Sequence, residues 1–266
     1  MKLKQLKGTQ RIGDSNAFLV TSMRDLFADV DKKYTNGFDA KWIGEQKKDV
    51  IGWLDGTIAN PSVSIFRNAY ESAIPASILT IENDISGAAL DVAAYCAGLP
   101  ESMLYQCESS SYITPLRVWV NFSVWSQTSA TDAARAFAEI AKALYGISLA
   151  RPVELNLFCI GSNNSDSTGN MVAYVIPIDL TGNIQSVANA FSAALYRAVL
   201  VSAKYITSKT KLQVYSCFED NPRKSLDFIG AGQSDLYIPN FFENKRLLSD
   251  PADEIRKIID EHNHAN

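Results

Sequence analysis

The sequence predicts an α+β protein whose centre is a β-α-β-β-α-β run between residues 115 and 246. Three observations carry this. Residues 116–125 alternate between apolar and polar positions. Residues 130–145 repeat apolar side chains at three- and four-residue spacing, and the strand-helix order is then written a second time. With 266 residues, 47% of them hydrophobic and 20% charged, the chain can bury a sizeable core. That excludes a disordered tail or a disulfide-stapled miniprotein.

The elements follow in chain order. Residues 1–114 read as a mixed, mostly helical region that opens with a basic arm, because Lys2, Lys4, Lys7 and Arg11 stand there with no acid among the first twelve residues. A helix is expected over 17–33, with Phe18, Met23, Leu26, Phe27 and Val30 near helical spacing. Gly37, Gly44, Gly52 and Gly56 then punctuate loops, and a short helix over 91–96 stops before Gly98 and Pro100. The core region 115–246 begins with a strand over 116–125. A helix over 130–145 follows, with Thr131 as N-cap and Gly146 as stop. Next come a strand over 153–160, a Gly/Ser/Asn loop over 161–169, a strand over 171–178, a helix over 184–204 and a strand over 211–218. Residues 247–266 form an acidic C-terminal helix or tail.

This order fits two architectures, a ferredoxin-like split β-α-β sandwich and a von Willebrand A-like sheet. They differ in what covers the sheet. In the first strand Val118, Val120, Phe122 and Val124 share one face, while Arg117, Trp119, Asn121, Ser123 and Trp125 share the other. Lys211, Gln213 and Tyr215 likewise oppose Leu212, Val214 and Phe218. The expectation is therefore a sheet with one face on helices and one face open, although 153–160 and 171–178 are more uniformly apolar.

Charge and motif content narrow the chemistry. The formal net charge of −4 gives no global positive field. The basic arm and a basic zone over 197–246 flank an acidic stretch over 68–116 that has no Lys or Arg. Only His262 and His264 are present, so histidine-dependent catalysis has almost no candidates. Cys96, Cys107, Cys159 and Cys217 lack metal or redox spacing and read as reduced core thiols. No phosphate-binding loop, nucleophile elbow or zinc-protease motif occurs, and Gly230-Ala-Gly232 is half of a dinucleotide fingerprint without its strand-to-helix context. Asn121-Phe-Ser123-Val-Trp125 occupies the place of the Asp-x-Ser-x-Ser metal motif of von Willebrand A domains. Asn replaces the Asp, which removes the anionic ligand a hard cation requires. No metal, cofactor or catalytic residue is expected.

An open face carrying Arg117, Trp119, Trp125 and Tyr215 suits single-stranded nucleic acid, because rings stack on bases and cations meet phosphates. Lys204, Lys209 and Lys211 in the helix-to-strand connection would neutralise phosphates, and Lys2, Lys4 and Lys7 would add non-specific attraction. The same face could instead be buried against another domain or a second subunit. Residues 90–103, Leu-Asp-Val-Ala-Ala-Tyr-Cys-Ala-Gly-Leu-Pro-Glu-Ser-Met, followed by Arg117-Val-Trp-Val-Asn-Phe-Ser, resemble uncharacterised bacteriophage proteins. In size and organisation the chain also resembles the single-stranded-DNA-binding RNA polymerase cofactors of podoviruses. That resemblance implies binding of single-stranded DNA, a phage RNA polymerase as partner, and the cytoplasm of an infected bacterial host. The expected function is thus a non-catalytic single-stranded-DNA-binding protein serving transcription or replication, with self-association allowed and no membrane segment. The alternatives are a metal-free von Willebrand A-like or ferredoxin-like protein-interaction module, and a hydrolase with carboxylate chemistry.

Overall fold

The computed structural model describes residues 5–33, 39–73, 79–84, 89–90, 92–97, 103–108, 115–124, 127–161, 171–208 and 222–265. In chain order the elements are β1 (Thr9–Ile12), β2 (Ala17–Val20), α1 (Met23–Lys33), α2 (Ala40–Ile43), α3 (Lys47–Asp55) and α4 (Val63–Glu71). There follow β3 (Leu79–Asp84), β4 (Ala89–Leu90), α5 (Val92–Cys96), β5 (Met103–Glu108), β6 (Leu116–Asn121), α6 (Ala130–Ser148), β7 (Val153–Gly161) and β8 (Val172–Ile178). The last elements are α7 (Ile184–Ala190), α8 (Ala193–Leu195), a π-helical turn (Tyr196–Val201), α9 (Ser202–Ser208), α10 (Pro222–Ile229), β9 (Leu236–Ile238), α11 (Arg246–Ser249) and α12 (Pro251–Ala265).

Six strands form a mixed sheet in the order β1-β2-β8-β7-β6-β9, and β3, β5 and β4 form a separate three-stranded one. The α+β class expected from the sequence is what the structure has. Strands β6, β7 and β9 run parallel, and β8 is antiparallel to β7. A split β-α-β unit would place another strand between β6 and β7, yet these two pair directly from Leu116↔Val153 to Asn121↔Phe158. This pairing departs from the expected ferredoxin-like order.

The expected helix over 17–33 is a strand followed by a helix. Ala17–Val20 pairs in parallel with β8, and the chain turns at Thr21 and Ser22, whose N–H groups both reach Gly8 O. Gly8 has φ +71°, and a Cβ there would come within 2.2 Å of Ser22 O, so this close approach requires glycine. The N-terminal region thus supplies two strands to the main sheet as well as helices. At the other end, Leu247 of α11 and Ile255 of α12 join the same core.

Helix α6 lies where the apolar spacing placed it, three residues longer, with Ser129 rather than Thr131 as its cap: Ser129 Oγ accepts the Asp132 N–H at 3.0 Å. The single helix expected over 184–204 is broken. Asn183 caps α7, Phe191 ends it, and Ser192 Oγ accepts the Leu195 N–H to start α8 before the π-helical turn widens the coil. Among the described residues no single helix is long and apolar enough to cross a membrane.

Both faces of the main sheet are covered. Phe18, Val118, Val120, Phe122, Leu155, Leu157, Tyr174 and Ile176 meet the helical layer on one side. On the other, Ala17, Trp119, Phe158, Ile160, Ala173 and Val175 meet Leu226 and Ile229 of α10. The expected open face is therefore closed. A helix placed after the last stretch outside the described set lies across it.

Candidate binding site at the carboxyl ends of the central strands

Closure of the second face relocates several residues expected on it. Trp119 is only 6% exposed; its ring meets Phe158 edge-on at 6.3 Å and its indole N–H donates to Asp235 Oδ2 at 2.8 Å. An indole so enclosed is core and cannot stack on a base without opening the sheet. Arg117 does reach solvent, but its register neighbour Glu154 on β7 accepts from Nε at 3.1 Å. That bond, together with Asp235 and Glu154 as nearby negative charges, holds the guanidinium above its ordinary pKa. Asp235 is itself fixed by the Gly232 N–H at 2.7 Å. A Cβ on Gly232 would lie 2.9 Å from Asp235 Oδ1, and Gly230 takes φ +82° just past α10, so the Gly-Ala-Gly stretch is a helix stop and tight turn.

Lys204 also departs from expectation. It was expected in a solvated connection, but α9 continues to Ser208 and buries Lys204 completely. Its Nζ donates to Ile160 O at 3.4 Å and Tyr196 Oη at 3.3 Å, and lies 5.2 Å from the Tyr196 ring centroid. A cation held there packs inside the protein and presents no charge to a phosphate. Lys7 is exposed, and its backbone N–H donates to Asp29 Oδ2 at 3.0 Å. Lys2, Lys4, Trp125, Lys209, Lys211 and Tyr215 lie outside the described residues. Cys159 is buried as expected, and burial pushes its thiol pKa up against the lowering influence of Lys204, whereas Cys96 at the end of α5 is exposed and not a core thiol.

With both faces closed, the distinctive surface is an edge. The chain leaves β6 toward β7 on one side, and β9 lies against the other side of β6, so strand order reverses beside the carboxyl end of β6. In open α/β sheets such a reversal leaves a crevice where ligands settle. Here Asn121, fully buried, ends β6, and its Oδ1 accepts the Ser123 N–H at 3.3 Å. Asn121 Nδ2 reaches across to Glu243 Oε1 at 3.4 Å. Asn240, two residues past β9, donates its Nδ2 to the same oxygen at 2.9 Å, and its Oδ1 accepts the N–H groups of Phe242 and Glu243. Tyr237 Oη donates to Glu243 Oε2 at 2.5 Å. Ser123 Oγ is buried and has no hydrogen-bond partner among the described residues. Phe242 stands 44% exposed beside this cluster.

The β7 side of the same edge is cationic. Besides Lys204, Arg197 from the π-helical turn is buried and donates Nη2 to Thr128 O at 2.8 Å, in the segment joining β6 to α6. Burial pushes its pKa down, partly opposed by Tyr196. Tyr196 meets the Phe122 ring edge-on at 5.4 Å. Cations therefore lie under the β7 side and a carboxylate on the β9 side.

Among the described residues no three His, Cys, Asp or Glu side chains come together to hold a metal. Among the described residues no base lies in hydrogen-bond reach of the Ser123 hydroxyl. The Asn121-Phe-Ser123 stretch, whose sequence stands where a metal motif would be but lacks its Asp, lies in this cluster. Glu243 and Asn240 were missed because they are more than a hundred residues away, and no spacing rule connects them.

A family model described as a domain of unknown function, DUF7192, matches residues 16–263, and the chain belongs to that family. No curated protein and no solved structure matches it.

Proposed function

We propose that this member of the DUF7192 family is a non-catalytic protein-interaction module that docks its partner at the carboxyl edge of β6 and β9. One observation carries this reading. The sheet is closed on both faces, while its strand-order reversal holds a prearranged set of polar groups, Asn121, Ser123, Asn240 and Glu243, beside an exposed Phe242. Polar groups already held by hydrogen bonds need little ordering on binding, which favours affinity.

The test is a photoreactive phenylalanine analogue at position 242, with position 149 as control, since Leu149 is also exposed but lies at the far end of α6. Irradiation in the cells that naturally make the protein should give a discrete crosslinked species from position 242 and none from 149. Equal yields at both positions, or none at either, reject docking at this edge. Single-stranded DNA, alone or with a phage RNA polymerase, is the competing ligand. Titrating a fluorescent oligonucleotide across a salt series should show no binding; saturable binding whose affinity falls steeply with salt would restore the nucleic-acid reading.

A further inference from the structure

We propose that the edge receives a guanidinium, an arginine side chain of the partner flanked by an apolar group, with Glu243 as its acceptor and Phe242 as its apolar seat. This rests on the docking reading above and names the chemistry of the partner. Other shielded carboxylates of the protein have cations beside them. Asp29 pairs with Lys33, Asp235 lies 3.9 Å from Arg117, and Glu254 lies 3.7 Å from Arg246. Glu243 is half-buried and is held by three neutral donors, Tyr237, Asn240 and Asn121, with no cation beside it among the described residues. A carboxylate offers roughly four lone-pair directions, so these donors leave one open at Oε2.

The fixed donors hold this carboxylate in one orientation before any ligand arrives. A planar guanidinium, with several N–H donors and weaker hydration than an ammonium, suits a fixed, partly desolvated acceptor better than lysine does. Its flat face can lie on the exposed Phe242 ring. Ser123, whose backbone N–H donates to Asn121 Oδ1 in the same network, also carries a buried Oγ with no hydrogen-bond partner among the described residues.

The probe is benzamidine, an aromatic cation, compared with benzamide, its neutral isostere, each titrated into the isotope-labelled full chain by NMR. Benzamidine should shift the amides of residues 121–123 and 240–243 saturably and bind about tenfold or more tightly than benzamide, the factor a charge-assisted hydrogen bond gives. Glu243→Gln should abolish that preference. Phe242→Ala, which leaves the carboxylate in place, should weaken both compounds while keeping the preference. Equal binding of the two compounds, a preference that survives Glu243→Gln, or saturable shifts at these amides with magnesium chloride would overturn the inference. A crosslink at position 242 without a benzamidine preference defeats the guanidinium assignment alone. A benzamidine preference without the crosslink leaves the cation site standing and defeats the docking reading.

Discussion

The two faces of the six-stranded sheet reach burial by different means. The face under the helical layer is covered by side chains from α1, α4, α6, α7 and the π-helical turn, with Phe137 meeting both Phe191 and Phe241. The opposite face is covered chiefly by α10 and depends on a polar bond within it, the Trp119 indole N–H on Asp235. Alternation along β6 separated the two faces correctly. It did not say whether either was wet, since a Trp with a carboxylate partner is as good a core residue as a Val.

The sharpest way to break the comparison is Trp119→Ala. It should cost about 3 to 5 kcal/mol in denaturant unfolding, the range for deleting a buried aromatic. A loss within about 0.5 kcal/mol, as at ordinary surface sites, would mean the second face is open. Lys204→Ala should cost about 2 to 4 kcal/mol, because it removes a buried stem and the donor to Ile160 O and Tyr196 Oη. A stable variant with altered oligonucleotide affinity would instead make Lys204 a phosphate contact. Asp235→Ala should cost about 1 to 3 kcal/mol by stranding the indole N–H, with the midpoint shifting and the denaturant slope unchanged. On the helical side, Tyr70→Phe should leave stability unchanged or raise it by up to about 1 kcal/mol. The Tyr70 hydroxyl is buried without a hydrogen-bond partner among the described residues, while its ring stacks on Tyr145 at 4.4 Å. Arg117→Ala should have the smallest effect, within about 0.5 kcal/mol, since its pair with Glu154 is exposed.

Local signals made the centre of the fold legible: α6 from its apolar spacing, β6, β7 and β8 from their apolar runs. Two kinds of element escaped. Residues 17–20 carry apolar side chains that fit either a helix or a strand, and only pairing with β8, more than 150 residues on, decides. The break at Phe191 and Ser192 follows from a side-chain cap inside a segment whose composition reads as continuous helix. At the candidate site Asn121 and Ser123 were visible as a motif fragment. Glu243 was not, because its bond to Asn121 spans 122 positions and a solitary Glu after an Asn-Phe-Phe stretch carries no pattern.

Exchange of the tryptophan indole protons with deuterium, followed by NMR and assigned with Trp119→Phe, tests closure of the second face most directly. Trp42 is 36% exposed and serves as the internal reference. The Trp119 indole proton should persist long after that of Trp42 has exchanged, because Asp235 and α10 must open first. Exchange of both at the same rate would contradict it and return the aromatic face to solvent.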